Sequence, residues 1–265
     1  MIAVSELLRL GDEGVCEFVR HTARHGQNTR IEEADGLLLI AGSHAAPGPY
    51  RNLAMREGQG LSAQAIVRRA DEFFRGRARS YVLWVRAHAD EDLLALAAER
   101  GWEPLEQDGL LEMVMYERPE LVEPPAGVTL LETATDVQRR DFLRVNAAGW
   151  GMGGISDEHA AAMFFEPSSL DAPNVAGVIA YQDERPVSTA MAIVHNAAVG
   201  GYWGATIPEA RRQGLADVVV RRMFNAGFDL GGRVAVFQAS GMGERIWRNM
   251  GATDLTRYYR YLVTP

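Results

Sequence analysis

The sequence predicts an α/β (α+β) fold in two tandem halves, and three observations lead there. Apolar runs of strand length alternate along the chain with stretches whose apolar residues recur at helical spacing. The order strand, Gln-Gly-Leu turn, helix, strand, helix ending at Gly occurs twice, first at Gln59-Gly60-Leu61 and again at Gln213-Gly214-Leu215. Between the copies, the stretch from Arg118 to Gly127 holds Pro119, Pro124 and Pro125, which fit neither a helix interior nor a sheet ladder. The expected division is residues 1–118, a linker over 119–127, and residues 128–265. A chain of 265 residues is about right for two domains.

In the first half, Val4 to Arg20 places apolar residues at Leu7, Leu8, Val15 and Phe18 but is interrupted by Gly11 and Gly14. One or two short helices are expected there. Gly36 to Gly42 encloses an apolar strand, His44 to Tyr50 is a loop containing Pro47 and Pro49, and Asn52 to Arg56 is a second strand. Ser62 is positioned to cap a helix over 63–75, whose buried face would be Ile66, Val67, Ala70 and Phe74. A strand over 81–87, a helix over 90–100 stopped by Gly101, and a strand over 110–115 complete this half.

The second half opens with a strand at Val128–Leu131 and a helix over 135–148. A glycine-rich loop over 146–154 then carries Trp150 and Met152, followed by a helix over 157–165. Residues 174–180 and 187–194 read as a hairpin around Asp183-Glu184-Arg185-Pro186. Ala197 to Thr206 is a strand of small apolar residues. After a turn, Leu215, Val218, Val219, Met223, Ala226 and Leu230 share one helix face. A strand at Val234–Ala239 and a helix ending Trp247-Arg248-Asn249-Met250-Gly251 lead to the closing strand.

The junction before that first helix is where chemistry concentrates. Gly214 has no Cβ and suits a left-handed turn or a close ligand. The first amides of the following helix lack intrahelical acceptors, and the macrodipole makes that end partly positive. An anion site is expected, with phosphate as the anion. The first copy carries Glu57 and Ser62 where the second has Arg211 and Ala216, and a carboxylate beside a phosphate repels it. Only the second copy is therefore expected to bind.

Thr206-Ile207-Pro208-Glu209-Ala210-Arg211-Arg212-Gln213-Gly214-Leu215-Ala216 resembles the acetyl-CoA pyrophosphate motif of the GNAT N-acetyltransferase superfamily, Arg-x-x-Gly-x-Gly/Ala after a strand. The downstream order of elements agrees, and the likeness extends over residues 127–263. The resemblance implies two tandem GNAT-like domains, each a mixed, mostly antiparallel sheet flanked by helices, the first of them degenerate. It implies acetyl-CoA as co-substrate. Ala205, Thr206 and Ile207 would hold the thioester and pantetheine. Arg211, Arg212, Gln213, Gly214, Leu215, Ala216 and Asp217 would surround the pyrophosphate, and Ser240 and Trp247 would complete the contacts. The family's usual acid, a Tyr four residues before the Gly that ends the last helix, is replaced here by Trp247, and indole has no titratable proton in the useful range.

The remaining candidates for proton transfer are Tyr202, Tyr258 and Tyr259 as acids and Glu158, His159, His195 and Glu209 as bases. Tyr202, Glu158 and His195 are the leading set. No Ser/His/Asp or Cys/His arrangement suggests an acyl-enzyme. The function expected is acetyl transfer to an amine of a small molecule or peptide by direct attack. The alternative is a noncatalytic acyl-CoA-binding or interaction protein.

Composition bounds these readings. A 47% hydrophobic and 23% charged chain is that of a globular protein, and a net charge of −8 argues against nonspecific nucleic-acid binding. Cys16 stands alone, which excludes an internal disulfide and a cysteine zinc site, and no metal is expected. No apolar run reaches membrane-spanning length, and the first residues lack a basic signal segment, so a cytoplasmic monomer or homodimer is expected.

Overall fold

The computed structural model describes residues 2–265. In chain order the elements are α1 (Val4–His25), β1 (Arg30–Ala34), β2 (Leu37–Ala41), β3 (Asn52–Arg56), α2 (Ala63–Arg75), β4 (Tyr81–Arg86), α3 (Glu91–Glu99) and β5 (Leu110–Met115). The second half contributes β6 (Val128–Glu132), α4 (Asp136–Gly149), α5 (Asp157–Met163), β7 (Val175–Gln182), β8 (Arg185–His195), β9 (Ala198–Thr206), α6 (Leu215–Asp229), β10 (Val234–Ala239), α7 (Glu244–Asn249) and β11 (Thr253–Val263).

All the strands join one mixed sheet in the order β1-β2-β3-β4-β11-β5-β10-β9-β8-β7-β6. Among the described residues only β3/β4 and β9/β10 are parallel; each such pair is bridged by a helix, α2 or α6. The two halves meet through an exchange. β11, the last strand of the second half, pairs along β4, and β5, the last strand of the first half, pairs with β10. The two exchanged strands lie side by side at the centre. β5 is a mostly apolar run buried on both faces while β11 mixes polar and apolar residues, and neither sequence says which strand is the neighbour.

One face of the sheet is packed by α1, α4 and α5, whose residues form a single core from both halves: Phe18 and Val19 meet Trp84, Phe142, Phe165, Trp203 and Tyr258. On the other face, α2 and α3 cover the first half and α6 covers the second. The segment after β5 runs along α6, where the buried Asn225 donates to the Pro119 carbonyl at 2.9 Å and Arg221 to that of Glu120 at 2.8 Å. No helix among the described residues is long and apolar enough to cross a membrane.

Two local expectations are corrected. Val4–His25 is one unbroken helix, because Gly11 is a point of contact and not a stop. A Cβ on Gly11 would lie 2.5 Å from Glu112 Oε2, so the missing side chain is what lets α1 reach the sheet. The strand β1 escaped the sequence reading because it is a polar, exposed edge without alternation. Its signal is the Asp35-Gly36 dipeptide, a hairpin turn with both residues at positive φ. The caps behave as their residues suggest: Ser62 accepts from the Ala65 amide at 3.3 Å, and Thr135 and Gln138 form a reciprocal capping box.

Candidate active site

Gly214 takes φ +80° at the start of α6, a left-handed conformation that disfavours any side chain, and Arg212 before it is also at positive φ. This turn leaves the backbone amides from Arg212 to Asp217 without an acceptor among the described residues. Arg211, Arg212, Gln213 and Gly214 are exposed. Arg211 is held by the carbonyls of Thr206 (3.2 Å) and Gly149 (2.7 Å), tying the turn to the end of α4. Gln213 accepts from Gln182 at 3.2 Å. Asp217 does not face the turn unopposed, since Arg221 lies 3.1 Å from its carboxylate one helical turn on. Arg222 pairs with Glu132. A row of unpaired amides at a helix N-terminus can cradle a phosphate or pyrophosphate.

Above this turn the sheet opens. β9 and β10 pair only at Ala198/Val234 and Val199/Ala235, then diverge. From there β9 is paired with β8 alone and β10 with β5 alone. A register shift in β9, with Trp203 at φ +50°, bends the strand within the diverging part. Ala205 and Thr206 are half-buried on one lip, with Ile207 buried behind them. The opening lies at the carboxyl ends of two parallel strands, on the side from which α6 departs, where ligands bind in α/β sheets.

The first half contains the same parts in a closed form. β3 and β4 are paired at Leu53/Val82, Ala54/Leu83 and Met55/Trp84, with no comparable divergence. At the N-terminus of α2 an anion is already present: Asp92 accepts from the Ala63 amide at 3.0 Å and is clamped by both Arg56 terminal nitrogens at 2.7 and 2.8 Å. Arg56 also reaches Asp90. The carboxylate expected to obstruct this turn, Glu57, instead pairs with Arg20 of α1. Arg56 holds the Asp92 carboxyl below its ordinary range, so it stays ionised near neutral pH. The stability this pair supplies is present above the ordinary carboxylate pKa, about 3.9, and is lost as pH falls through the lowered native value. Replacing Asp92 by Ala leaves a buried guanidinium with fewer acceptors and is expected to cost about 1–3 kcal/mol. A matched pair of urea unfolding curves would reveal it, and coincident curves would contradict the clamp.

The proton-transfer candidates do not converge. Tyr202 is buried, stacks on Phe18 at 3.9 Å, and donates to the Gly14 carbonyl at 3.0 Å; burial pushes its phenol well above the ordinary range. His195 sits at the far end of the β8/β9 hairpin, paired in register with Ala198 and bonded to Asn196. Glu158 is exposed on α5, His159 faces His44 of the first half, and Glu209 lies near Arg185. Tyr258 is buried and donates to Asp12 at 2.7 Å, while Tyr259 turns to the α2/α3 face. Ser240 is exposed just past β10, its carbonyl accepting from Gly243 and Glu244. Trp247 is half-buried edge-on against Phe237 (5.1 Å) and Phe224 (5.9 Å), its Nε1 buried without a partner.

Sequence reasoning passed over Glu112. It interrupts the apolar run of β5, and it is fully buried on the α1 face, directly opposite Gln238 of β10. Gln238 donates to its Oε1 at 2.7 Å, while Oε2 has no partner. Burial, reinforced by Asp12, pushes its carboxyl up to about 8. The legible signal was a lone charge inside a strand otherwise buried on both faces.

A groove of about 410 Å³ runs beside Ile207, between Ala147 and Ala148 of α4, Gly153 to Ile155 of the following loop, and Arg185 and Pro186. Trp150 stands exposed in the adjoining turn, and Met152 packs inward.

No family model matches the sequence, and no curated protein matches it. Solved structures do. The chain is similar to a GCN5-related N-acetyltransferase from Kribbella flavida, with a TM-score of 0.71 and 16% identity over 96% of this chain and 94% of that one. It is similar to a GCN5-related N-acetyltransferase from Sphaerobacter thermophilus, with a TM-score of 0.63 and 14% identity over 88% and 81% of the two chains. A tandem GNAT protein from the clavulanic acid biosynthesis pathway matches at a TM-score of 0.62 and 13% identity, over 97% of each chain. At such identities the likeness is one of fold.

Proposed function

We propose that this chain, which has the tandem GNAT fold, is an acyltransferase that moves an acetyl group from acetyl-CoA to an amine of a small molecule or peptide. One observation carries the reading: the unpaired amides of Arg212 to Asp217 lie at the end of the gap between β9 and β10. The amides suit the pyrophosphate and the gap suits the pantetheine arm, which leaves the thioester beside the bend at Trp203. Arg211 and Gln213 brace the turn, and Ser240 and Trp247 flank the β10 side. The protein's task is to position the amine and to stabilise charge at the thioester carbonyl. The zipped strands and Asp92 clamp of the first half support a single cofactor site. Thiol release from acetyl-CoA with a panel of primary amines tests the reading. Amine-dependent release is expected. Tight binding with no release for any amine favours the noncatalytic acyl-CoA-binding alternative.

With Trp247 where the family's resemblance leads one to expect Tyr, the thiolate leaves without a phenol at that position. A thiol of pKa about 8.5 is a fair leaving group, and acid assistance is worth about 10²- to 10⁴-fold, so turnover is slowed and not abolished. Trp247→Tyr is expected to keep cofactor affinity and to leave turnover equal or faster. Steady-state kinetics showing a loss of orders of magnitude with binding intact would overturn that picture.

A further inference from the structure

Resting on the acyl-transfer reading, we propose that Gln238 and Glu112 form the amine-binding subsite. In it, Gln238 touches the acceptor and Glu112, contributed by the first half through the exchanged strand, is a positioning residue that sets which end of the Gln238 amide faces the gap.

The geometry begins with register. Gln238 and Glu112 are direct cross-strand partners on the face covered by α1. Gln238 lies beyond the last β9/β10 pair, so it borders the opening, and it is half-buried while Glu112 is fully buried. An ionised carboxylate can only accept. The Gln238 Nε2 therefore donates to Glu112 Oε1, and Gln238 Oε1 accepts from no donor among the described residues, which leaves it for a ligand. An amide oxygen at the gap is a fitting acceptor for an amine N–H, and it would leave the nitrogen lone pair free for the thioester.

A protonated Glu112 changes this. Its O–H becomes a donor for which the Gln238 oxygen is a partner, and in the proposed switch the amide turns to accept it, so that the NH₂ group faces the gap, where it opposes an amine N–H. The groups that set this titration come from every element around it. They are Asp12 on α1, itself tied to Arg86 and His88, Tyr258 on β11, Tyr202 on β9, and Gln238 on β10. The carboxyl, already raised to about 8, passes from the opposing to the welcoming state as pH rises through that value.

The proton balance of the reaction is simple. The neutral amine attacks the thioester carbon, the C–N bond forms and the C–S bond breaks, and the nitrogen proton passes through solvent to the departing sulfur. Glu112 takes no proton from the substrate in this scheme.

The test combines a resonance and a rate on the full chain. The side-chain ¹⁵NH₂ signal of Gln238 is followed from pH 6 to 9.5, and KM is measured for a panel of primary amines at saturating acetyl-CoA, each referred to the unprotonated amine. In the native chain the Gln238 signal should shift with a midpoint near 8, and KM should fall about tenfold or more across the same range. In Glu112→Gln, which is close in shape and uncharged, both pH dependences should vanish. Gln238→Leu should raise KM at high pH. A Gln238 signal indifferent to pH, with turnover intact, overturns the dyad alone. A titrating signal with no amine-dependent turnover overturns the amine assignment together with the acyl-transfer reading.

Discussion

Gly214→Val is expected to weaken acetyl-CoA binding by about a hundredfold or more, with the fold retained. The native residue sits at φ +80°, where a residue with a Cβ costs about 1–2 kcal/mol and a β-branched one is a true outlier. The turn will relax to relieve that strain, and relaxation pulls amides out of the row ending at Asp217. Each lost hydrogen bond to a charged ligand is worth about 1.5–3 kcal/mol, so strain and one lost bond together reach the hundredfold mark at about 2.8 kcal/mol. Nothing lies within 4 Å of a Cβ built at Gly214, so core packing is not disturbed. The effect comes from backbone conformation together with the space the phosphate needs. Dissociation constants and circular dichroism for the two chains decide it, and normal affinity in Gly214→Val would remove the anion site from the account.

Deleting residues 1–118 is expected to abolish folding of the remainder. β5 lies between β11 and β10 and β4 flanks β11 on its other side, so losing both leaves β10 with the short pairing to β9 and β11 with no neighbour at all. The deletion also removes α1, exposing Tyr202 and Trp203, which now pack on Phe18. Unpaired strands and a bare aromatic face favour aggregation. For the same reason the full chain should unfold in one cooperative transition. A soluble fragment 119–265 with its own sharp thermal transition would show that the exchange is dispensable.

What could be read from the sequence followed local rules. Gly214 and its flanking strand and helix are specified by residues adjacent in the chain, so the turn was legible. The strand exchange was not, because Leu110 to Met115 and Thr253 to Val263 carry the same pattern whichever strand lies beside them. Gly11 reads as a helix breaker until Glu112 is placed against it across the fold. The first half was expected not to bind because of Glu57, yet the carboxylate at α2 is Asp92, a residue distant in sequence that only the fold brings there. Tyr202 had the right chemistry on paper, and its bond to the Gly14 carbonyl depends on a helix from the other half.

We propose one open cofactor site, in the second half of a fold whose first half is shut. Calorimetric titration of the full chain with acetyl-CoA addresses it directly. Saturation at one acetyl-CoA per chain is expected. Saturation at two per chain, or no heat of binding at all, would contradict it.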